Sequence, residues 1–145
     1  MSADITLPAG APEEVVTNAL VREIDLSAFG GKGSMALITL DNGHDHNRPN
    51  TFGPQSVKAL DAAITDALGR NPAAIAITGK PFIFAAGADL SALSFLNDRN
   101  QSLAIGKLGH DVFRRLGESS IPTFAFINGL ALGGGLEVGL HCHYR

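Results

Sequence analysis

The sequence predicts an α/β fold built on a mainly parallel sheet. Short apolar, β-branched segments alternate with longer segments of helical periodicity along the 145 residues. A hydrophobic content of 45% with 17% charged residues is typical of a water-soluble domain with a core. Glycine-rich turns at 86–89 and 129–135 each follow an apolar segment. Because ligand sites in such sheets lie where strands give way to helices, we expect the two turns to share a site.

The elements follow from local patterns. Residues 1–14, rich in Ala, Pro, Gly and Glu, are predicted to form a flexible N-terminal arm, and residues 15–145 a single domain portion. The predicted strands have apolar and β-branched residues bounded by turn signals, and they span 15–25, 35–40, 73–78, 82–85 and 122–127. The predicted helices have apolar stripes at helical spacing, and they span 53–69, roughly 89–96, 99–116 and 134–140. Residues 140–145 indicate the end of a helix followed by the start of a new strand.

Composition and charge exclude several classes of function. The formal charge of −3 and the scattered eleven Lys and Arg residues argue against nucleic acid as a partner. No apolar segment approaches the roughly eighteen residues that a membrane span requires. Cys142 is the only cysteine, so it forms no internal disulfide, and a cytoplasmic location is expected.

The segment 121–145 carries the main chemical signal. Three consecutive glycines, Gly133 to Gly135, precede a helix whose first turn contains Glu137. Unpaired N–H groups at a helix start favour a developing negative charge, and a carboxylate beside them can move a proton. The N–H of Ala88, in the other glycine turn, is a second candidate donor for an oxyanion hole. The alternative is structural: the glycines serve tight turns, and Glu137 only complements the helix dipole.

The histidines are paired two residues apart, as His44 with His46 and His141 with His143. A metal site needs three or four convergent ligands, and neither pair has a third ligand outside its own segment. No metal site is therefore predicted.

Two motifs resemble a known family. Residues 84–90 (Phe-Ala-Ala-Gly-Ala-Asp-Leu) and 128–137 (Asn-Gly-Leu-Ala-Leu-Gly-Gly-Gly-Leu-Glu) resemble the signature segments of the crotonase (enoyl-CoA hydratase/isomerase) superfamily. The similarity spans roughly 35–145. The arm and the loop 41–51 are most similar to the hydratase part of bacterial multifunctional fatty-acid oxidation proteins. The resemblance implies a crotonase-like fold of ββα repeats, incomplete at its C-terminus.

The resemblance also implies a site. The substrate would be an acyl-CoA thioester, with no separate cofactor, and its carbonyl would lie between the N–H groups of Ala88 and Gly134. Glu137 matches the family's first catalytic glutamate. The residues matched to pantetheine and acyl contacts are Asp89, Leu90 and Ser91, and those matched to CoA contacts are Pro49 and Asn50. Asp89 is also expected to cap a helix.

The implied reaction is the addition of water to 2-enoyl-CoA thioesters in fatty-acid β-oxidation. The family's second glutamate lies about twenty residues past the first, beyond residue 145. Two alternatives therefore stay open: an enoyl-CoA isomerase that uses one glutamate, and a truncated, non-catalytic acyl-CoA-binding fragment. The resemblance further implies a homo-oligomer, a trimer in the family, or a place in a larger multifunctional chain. A partial domain is expected to expose apolar faces.

Overall fold

A four-stranded sheet with helices packed on it forms the framework of the protein. The computed structural model describes residues 10–91 and 98–145. The strands are β1 (Asn18–Asp25), β2 (Ser34–Asp41), β3 (Ala74–Gly79), β4 (Phe82–Ala85), β5 (Thr123–Phe126) and β6 (Gly129–Ala131). The helices are α1 (Pro54–Gly69), α2 (Arg99–Gly117) and α3 (Gly134–His141), with a 3-10 turn at Ser27–Phe29.

The main sheet has the strand order β1-β2-β3-β5. The pairs β2–β3 and β3–β5 are parallel, which confirms the predicted α/β fold with a mainly parallel sheet. β1 is the exception, since it runs antiparallel to β2 from Asn18 opposite Asp41 to Asp25 opposite Ser34. The physical reason is the connection: residues 26–33 form a tight turn, whereas a parallel pair requires a crossover of a dozen or more residues.

A second, two-stranded parallel sheet joins β4 to β6. The sequence pattern predicts β4 with its observed bounds, but it assigns all of 129–135 to a turn and misses β6. That strand has only three residues, Gly-Leu-Ala, and none of them is β-branched. Its pairing with β4 defines it, and a pairing across more than forty residues leaves no local trace in the sequence.

The hydrophobic core lies between the main sheet and the helices. The largest fully buried apolar side chains are Phe84, Ile38, Leu40, Leu60, Ile64, Ile75, Ile77, Leu116 and Val138. α1 and α2 pack against each other, and Arg115 of α2 reaches across to α1. Its guanidinium donates to the carbonyl of Asp61 and the hydroxyl of Thr65, each at 3.0 Å, and also pairs with the Asp61 carboxylate. These contacts hold α2 against α1.

The end of the described chain returns to the sheet. α3 ends at His141, and Tyr144 then forms a parallel bridge with Phe124. The N–H of Tyr144 donates to Thr123 at 3.0 Å, and the N–H of Ala125 donates to Tyr144 at 2.8 Å. The predicted helix end followed by an extended segment is confirmed.

Exposed apolar side chains gather in the segment that runs from the last residue of β5 to Tyr144. This group consists of Phe126, Ile127, Leu130, Leu132, Leu136, Leu140 and Tyr144, each between 38% and 58% exposed. The expected exposure of apolar faces is observed in this segment. Within 10–91 and 98–145, none of the helices is both long enough and apolar enough to cross a membrane.

Glu14 provides the N-terminal cap of α1. Gly53, at the N-cap position, has no side chain to accept the first helical N–H groups. The Glu14 carboxylate accepts from the N–H groups of Gln55 (2.9 Å) and Ser56 (2.8 Å) and from the Ser56 hydroxyl (2.6 Å). A carboxylate there also complements the helix dipole. Glu14 is the last residue of the predicted arm; for residues 1–9, which lie outside the described residues, flexibility stays a prediction.

We expect Glu14→Ala to lower the free energy of unfolding by about 1–2 kcal/mol, since it removes a cap that satisfies two helical N–H groups. The neighbouring Glu13 is exposed, so Glu13→Ala is the matched control. Urea denaturation followed by circular dichroism measures both. Equal stabilities for the two variants would contradict the capping role.

Candidate active site

The two glycine turns contact each other at the ends of β4 and β6. A Cβ at Gly87 would lie 3.0 Å from the nitrogen of Gly134 and 3.0 Å from the carbonyl oxygen of Leu132. Gly87 also has a φ of +89°, which side chains disfavour. A Cβ at Gly135 would lie 2.0 Å from the carbonyl oxygen of Ala85, which itself accepts the N–H of Leu132 at 3.0 Å. Only glycine permits backbones to approach this closely.

The main-chain N–H groups of Ala88 and Gly134 remain available at this contact. Phe52 bridges the first turn: its N–H donates to Gly87 at 2.7 Å, and its carbonyl accepts from Asp89 at 3.2 Å. These two bonds flank Ala88, so its own N–H points away from Phe52. Within the described ranges, neither the N–H of Ala88 nor that of Gly134 has a protein acceptor. Two unpaired donors beside a turn are what an oxyanion site requires.

A cavity of about 290 Å³ opens at the contact of the turns. Its lining combines both turns with α1, α2 and α3, and consists of Phe52, Val57, Ala88, Ile105, Gly106, Gly109, His110, Phe113, Gly134 and Glu137. The lining is mostly apolar with few polar groups, a common composition of small-molecule sites. The structure thus brings Ala88, Gly134 and Glu137 to one cavity.

Glu137 lies in the first turn of α3. A Cβ at Gly134 would lie 3.7 Å from Oε2 of Glu137, so the carboxylate is close to the Gly134 backbone. The Glu137 N–H donates to Gly133 at 3.0 Å, and the Glu137 carbonyl lies 2.9 Å from Nδ1 of His141. The helical backbone is therefore fixed on both sides of the carboxylate, while the residue itself stays exposed.

His110 is a cavity residue that sequence reasoning missed. Its ring packs edge-on against the ring of His141 at a centroid distance of 5.6 Å, and His141 also contacts Phe113. The periodicity of α2 predicts which face is buried, but not that part of this face covers two turns elsewhere in the chain. The spacing of residues along α2 therefore does not indicate that His110 lines the cavity.

Three of the remaining predicted contact residues, Pro49, Asp89 and Ser91, line a second cavity of about 260 Å³. Its lining is mostly polar and consists of Pro12, Glu13, Val15, Asn42, Arg48, Pro49, Thr51, Asp89 and Ser91. Asp89 accepts from the N–H (2.9 Å) and hydroxyl (2.7 Å) of Ser91. The helix predicted to follow Asp89 lies mainly in 92–97, outside the described residues. Leu90 is 70% exposed and lines neither cavity.

Asn50 has a structural position that differs from the expected substrate contact. Its side chain is fully buried. The amide nitrogen donates to the carbonyls of Leu40 (2.9 Å) and Phe84 (3.1 Å), and the amide oxygen accepts the N–H of Asn42 (3.1 Å). Because all of these partners are backbone groups of the protein, the Asn50 side chain ties the loop to β2 and β4 and does not face either cavity.

Lys80 also holds the loop that contains Asn50, through hydrogen bonds from its side chain. Its side chain is only 4% exposed, and its ammonium donates to the carbonyls of His44 (2.8 Å) and Arg48 (2.7 Å) and to the side-chain oxygen of Asn42. Burial lowers the pKa of Lys80 below its ordinary value, while the carboxylates of Asp41 and Asp45 act in the opposite direction. The loop that carries Arg48 and Pro49 is thus held by a buried cation.

His141 and His143 have different surroundings. His143 lies against Thr123 and the carbonyl of Gly117, whereas His141 is bonded to its own helix. Among the residues that the structure describes, no three side chains of His, Cys, Asp or Glu are grouped as metal ligands would be.

Comparison with known proteins agrees with this architecture. Residues 30–145 match the model of the enoyl-CoA hydratase/isomerase family, and the chain belongs to that family. It is 43% identical over 113 residues to the fatty acid oxidation complex subunit alpha of Shewanella loihica, covering 77% of this chain and 16% of that protein.

Solved structures of the crotonase fold superpose on most of the chain. An enoyl-CoA hydratase from Bacillus anthracis has a TM-score of 0.71 at 25% identity, covering 88% of this chain and 46% of that one. DspI of Pseudomonas aeruginosa has a TM-score of 0.69 at 28% identity, covering 93% and 50%. The chain therefore spans about a sixth of the curated relative that it matches and about half of these solved domains.

The close contact at Gly135 is testable by stability. Gly135→Ala should lower the free energy of unfolding by about 1–3 kcal/mol, because the new methyl overlaps the Ala85 carbonyl and forces the turns apart. Gly69→Ala is the control: a Cβ at Gly69, in α1, meets nothing within 4 Å. Gly69→Ala should raise the free energy of unfolding by up to about 1 kcal/mol, because alanine is a better helix former than glycine. Chemical denaturation of both variants checks this, and a stabilised Gly135→Ala protein would contradict the contact.

The buried thiol of Cys142 has a pKa above its ordinary value. Burial raises the pKa of its thiol from 9.0 to about 11, because the thiolate loses hydration inside the fold. The pKa of this thiol is higher in the folded chain than in the unfolded chain, so the thiol stabilises the fold at pH values below its unfolded-state pKa. This contribution to the free energy of unfolding is lost as the pH rises between the unfolded-state and the folded-state pKa.

We therefore expect Cys142→Ala to lose less stability than the parent protein between about pH 9 and about pH 11. Urea unfolding across that range measures the difference. At neutral pH, the folded parent should react slowly with a thiol reagent and the urea-unfolded chain rapidly. Parallel stability profiles or rapid labelling of the folded chain would show that the thiol is accessible.

Proposed function

We propose that this chain supplies an acyl-CoA thioester site and acts as an enoyl-CoA hydratase-like protein of fatty-acid β-oxidation, adding water across the double bond of 2-enoyl-CoA. The observation that carries the proposal is the contact of the two glycine turns. It places two unpaired N–H groups, of Ala88 and Gly134, and the carboxylate of Glu137 at one cavity.

The proposed chemistry follows from this arrangement. The thioester carbonyl oxygen would accept both N–H groups, which lowers the energy of the enolate that forms when water adds to the β-carbon. Donors of this kind are each worth about 3–4 kcal/mol of transition-state stabilisation. Glu137 would transfer the proton between water and carbon. The groups that this chain would contribute to these steps are two main-chain donors and one carboxylate, so the proposal invokes no cofactor.

The two cavities suit different parts of an acyl-CoA. The 290 Å³ cavity is apolar and at the small end of ligand sites, so it fits an acyl group and not the whole thioester. Six of the nine residues that line the second cavity are polar or charged, and the exposed Arg48 is one of them. We assign the CoA moiety to this side, where Arg48 can pair with phosphate and where Pro49, Asp89 and Ser91 line the wall.

An enoyl-CoA isomerase is the second candidate. The observation in its favour is that Glu137 is the sole carboxylate among the described residues that line the first cavity. Moving a double bond requires one group that removes a proton and returns it, whereas hydration in this family uses two glutamates. A non-catalytic acyl-CoA-binding fragment is the third possibility.

Turnover and binding separate these candidates. With the chain as given, we expect crotonyl-CoA to be hydrated, and Glu137→Gln to lower the rate about 10²–10⁴-fold while acyl-CoA still binds. Glu118→Gln is the matched control, because Glu118 is an exposed carboxylate at the end of α2 that lines neither cavity. Spectrophotometric assay and isothermal titration calorimetry provide the two readouts.

Each alternative outcome selects another candidate. Conversion of a 3-enoyl-CoA without hydration would replace the hydratase by the isomerase. Binding without turnover of either substrate would leave only the acyl-CoA-binding fragment. Absence of acyl-CoA binding would overturn the proposal as a whole.

Assembly and location are part of the same proposal. The exposed apolar segment after β5 supports association with further protein, either with copies of the chain or with the rest of a multifunctional protein such as the Shewanella relative. A cytoplasmic location stays a prediction.

A further inference from the structure

α2 presents an interrupted apolar row to the first cavity. Ile105, Gly109 and Phe113 follow one another at a spacing of four residues, so they lie on one helix face, and all three line the cavity. Large side chains stand at both ends of this row, and the middle position has none. The result is a notch in the cavity wall at Gly109.

Packing does not require this glycine. Among the described residues, a Cβ at Gly109 would meet nothing closer than Cε2 and Cζ of Phe113, both at 3.9 Å, which is ordinary van der Waals contact. Gly109 also lies well inside a 19-residue helix and has no positive φ. Glycine is the weakest helix former after proline, so a residue such as alanine would stabilise α2. No packing contact among the described residues requires glycine here, and a side chain at this position would take up space in the wall of the cavity that Gly109 lines.

The notch lies next to the proposed carbonyl site. The same Phe113 atom, Cε2, is 3.9 Å from a Cβ at Gly109 and 3.8 Å from a Cβ at Gly134. A single ring edge therefore separates the turn that would bind the carbonyl from the gap in α2. An acyl chain that starts at Gly134 and follows the ring reaches Gly109 after a few carbons.

We propose that Gly109 determines which acyl chains the cavity accepts: the notch admits chains of medium length, and a side chain at this position would exclude them while leaving short chains unaffected. This inference rests on the proposed function and deepens it, because it names the substrate class as medium-chain acyl-CoA thioesters.

Binding of saturated acyl-CoA thioesters tests the inference independently of turnover. The parent chain should bind both butyryl-CoA and decanoyl-CoA. In Gly109→Leu, the affinity for decanoyl-CoA should fall about tenfold or more, because several of its methylene groups lose their place in the cavity. The affinity for butyryl-CoA should fall by less than about twofold. Gly109→Ala should show a smaller loss for decanoyl-CoA together with a higher melting temperature, which rules out misfolding as the cause.

Lys107→Leu is the matched control. Lys107 lies on the same helix, two residues from Gly109 and therefore on the opposite face, and its side chain is 74% exposed. This variant adds the same branched group outside the cavity, and both affinities should stay at parental values.

The outcomes distinguish the two levels of the proposal. Equal weakening of both ligands in Gly109→Leu, or no change in either, would overturn the role of Gly109 while the acyl-CoA site stands. A parent chain that binds neither thioester would overturn both. Stronger binding of decanoyl-CoA by Gly109→Leu would show that the notch is not where the chain lies.

Discussion

The direct contact between the turns at 86–89 and 129–135 is the constraint on which the rest of this structure depends. Gly87 lies against the Gly134 nitrogen, and the Ala85 carbonyl lies where a side chain of Gly135 would stand. This contact orients the start of α3, and with it Glu137. It also brings together the N–H groups of Ala88 and Gly134, which belong to turns that are distant in the sequence. Within the described residues, neither N–H group has a protein acceptor.

Polar groups buried beside the turns support this contact. Asn50 joins the loop 42–51 to β2 and β4, and its own carbonyl accepts the N–H of Ala86 at 2.8 Å. Lys80 satisfies the loop carbonyls from the other side. Buried polar groups are costly unless they are fully bonded, and when bonded they specify one arrangement. The loop is therefore held in place by hydrogen bonds from the interior, and its other side, with Arg48, is exposed.

The glycines of the chain serve two distinct purposes. At positions 87 and 135 the backbone itself occupies the space of a side chain, so the fold requires glycine there. At position 109 the described surroundings would accept a side chain, and the glycine leaves space in the wall of the cavity. The same residue type is structural in the first case and is proposed to be selective in the second, and only the distances to neighbouring atoms separate the two.

Much of the framework was predictable from local pattern. The alternation of apolar and helical segments predicts β2, β3, β5, α1 and α2 almost to their observed bounds, because hydrophobic periodicity reflects which face is buried. The motifs at 84–90 and 128–137 predict the family, which the comparisons confirm. They also predict that Ala88, Gly134 and Glu137 belong together, and the structure brings these residues to one cavity.

Other features depended on contacts between distant segments. The strand β6 exists because β4 pairs with it, and its three residues have no strand signal of their own. Asn50 reads as a loop residue available to a ligand, yet burial against two strands makes it part of the interior. His110 and Gly109 face the glycine turns only because α2 packs across them. Local sequence sets the conformational preferences of a segment, whereas the three-dimensional packing decides which segments meet, and the cavity is formed where they meet.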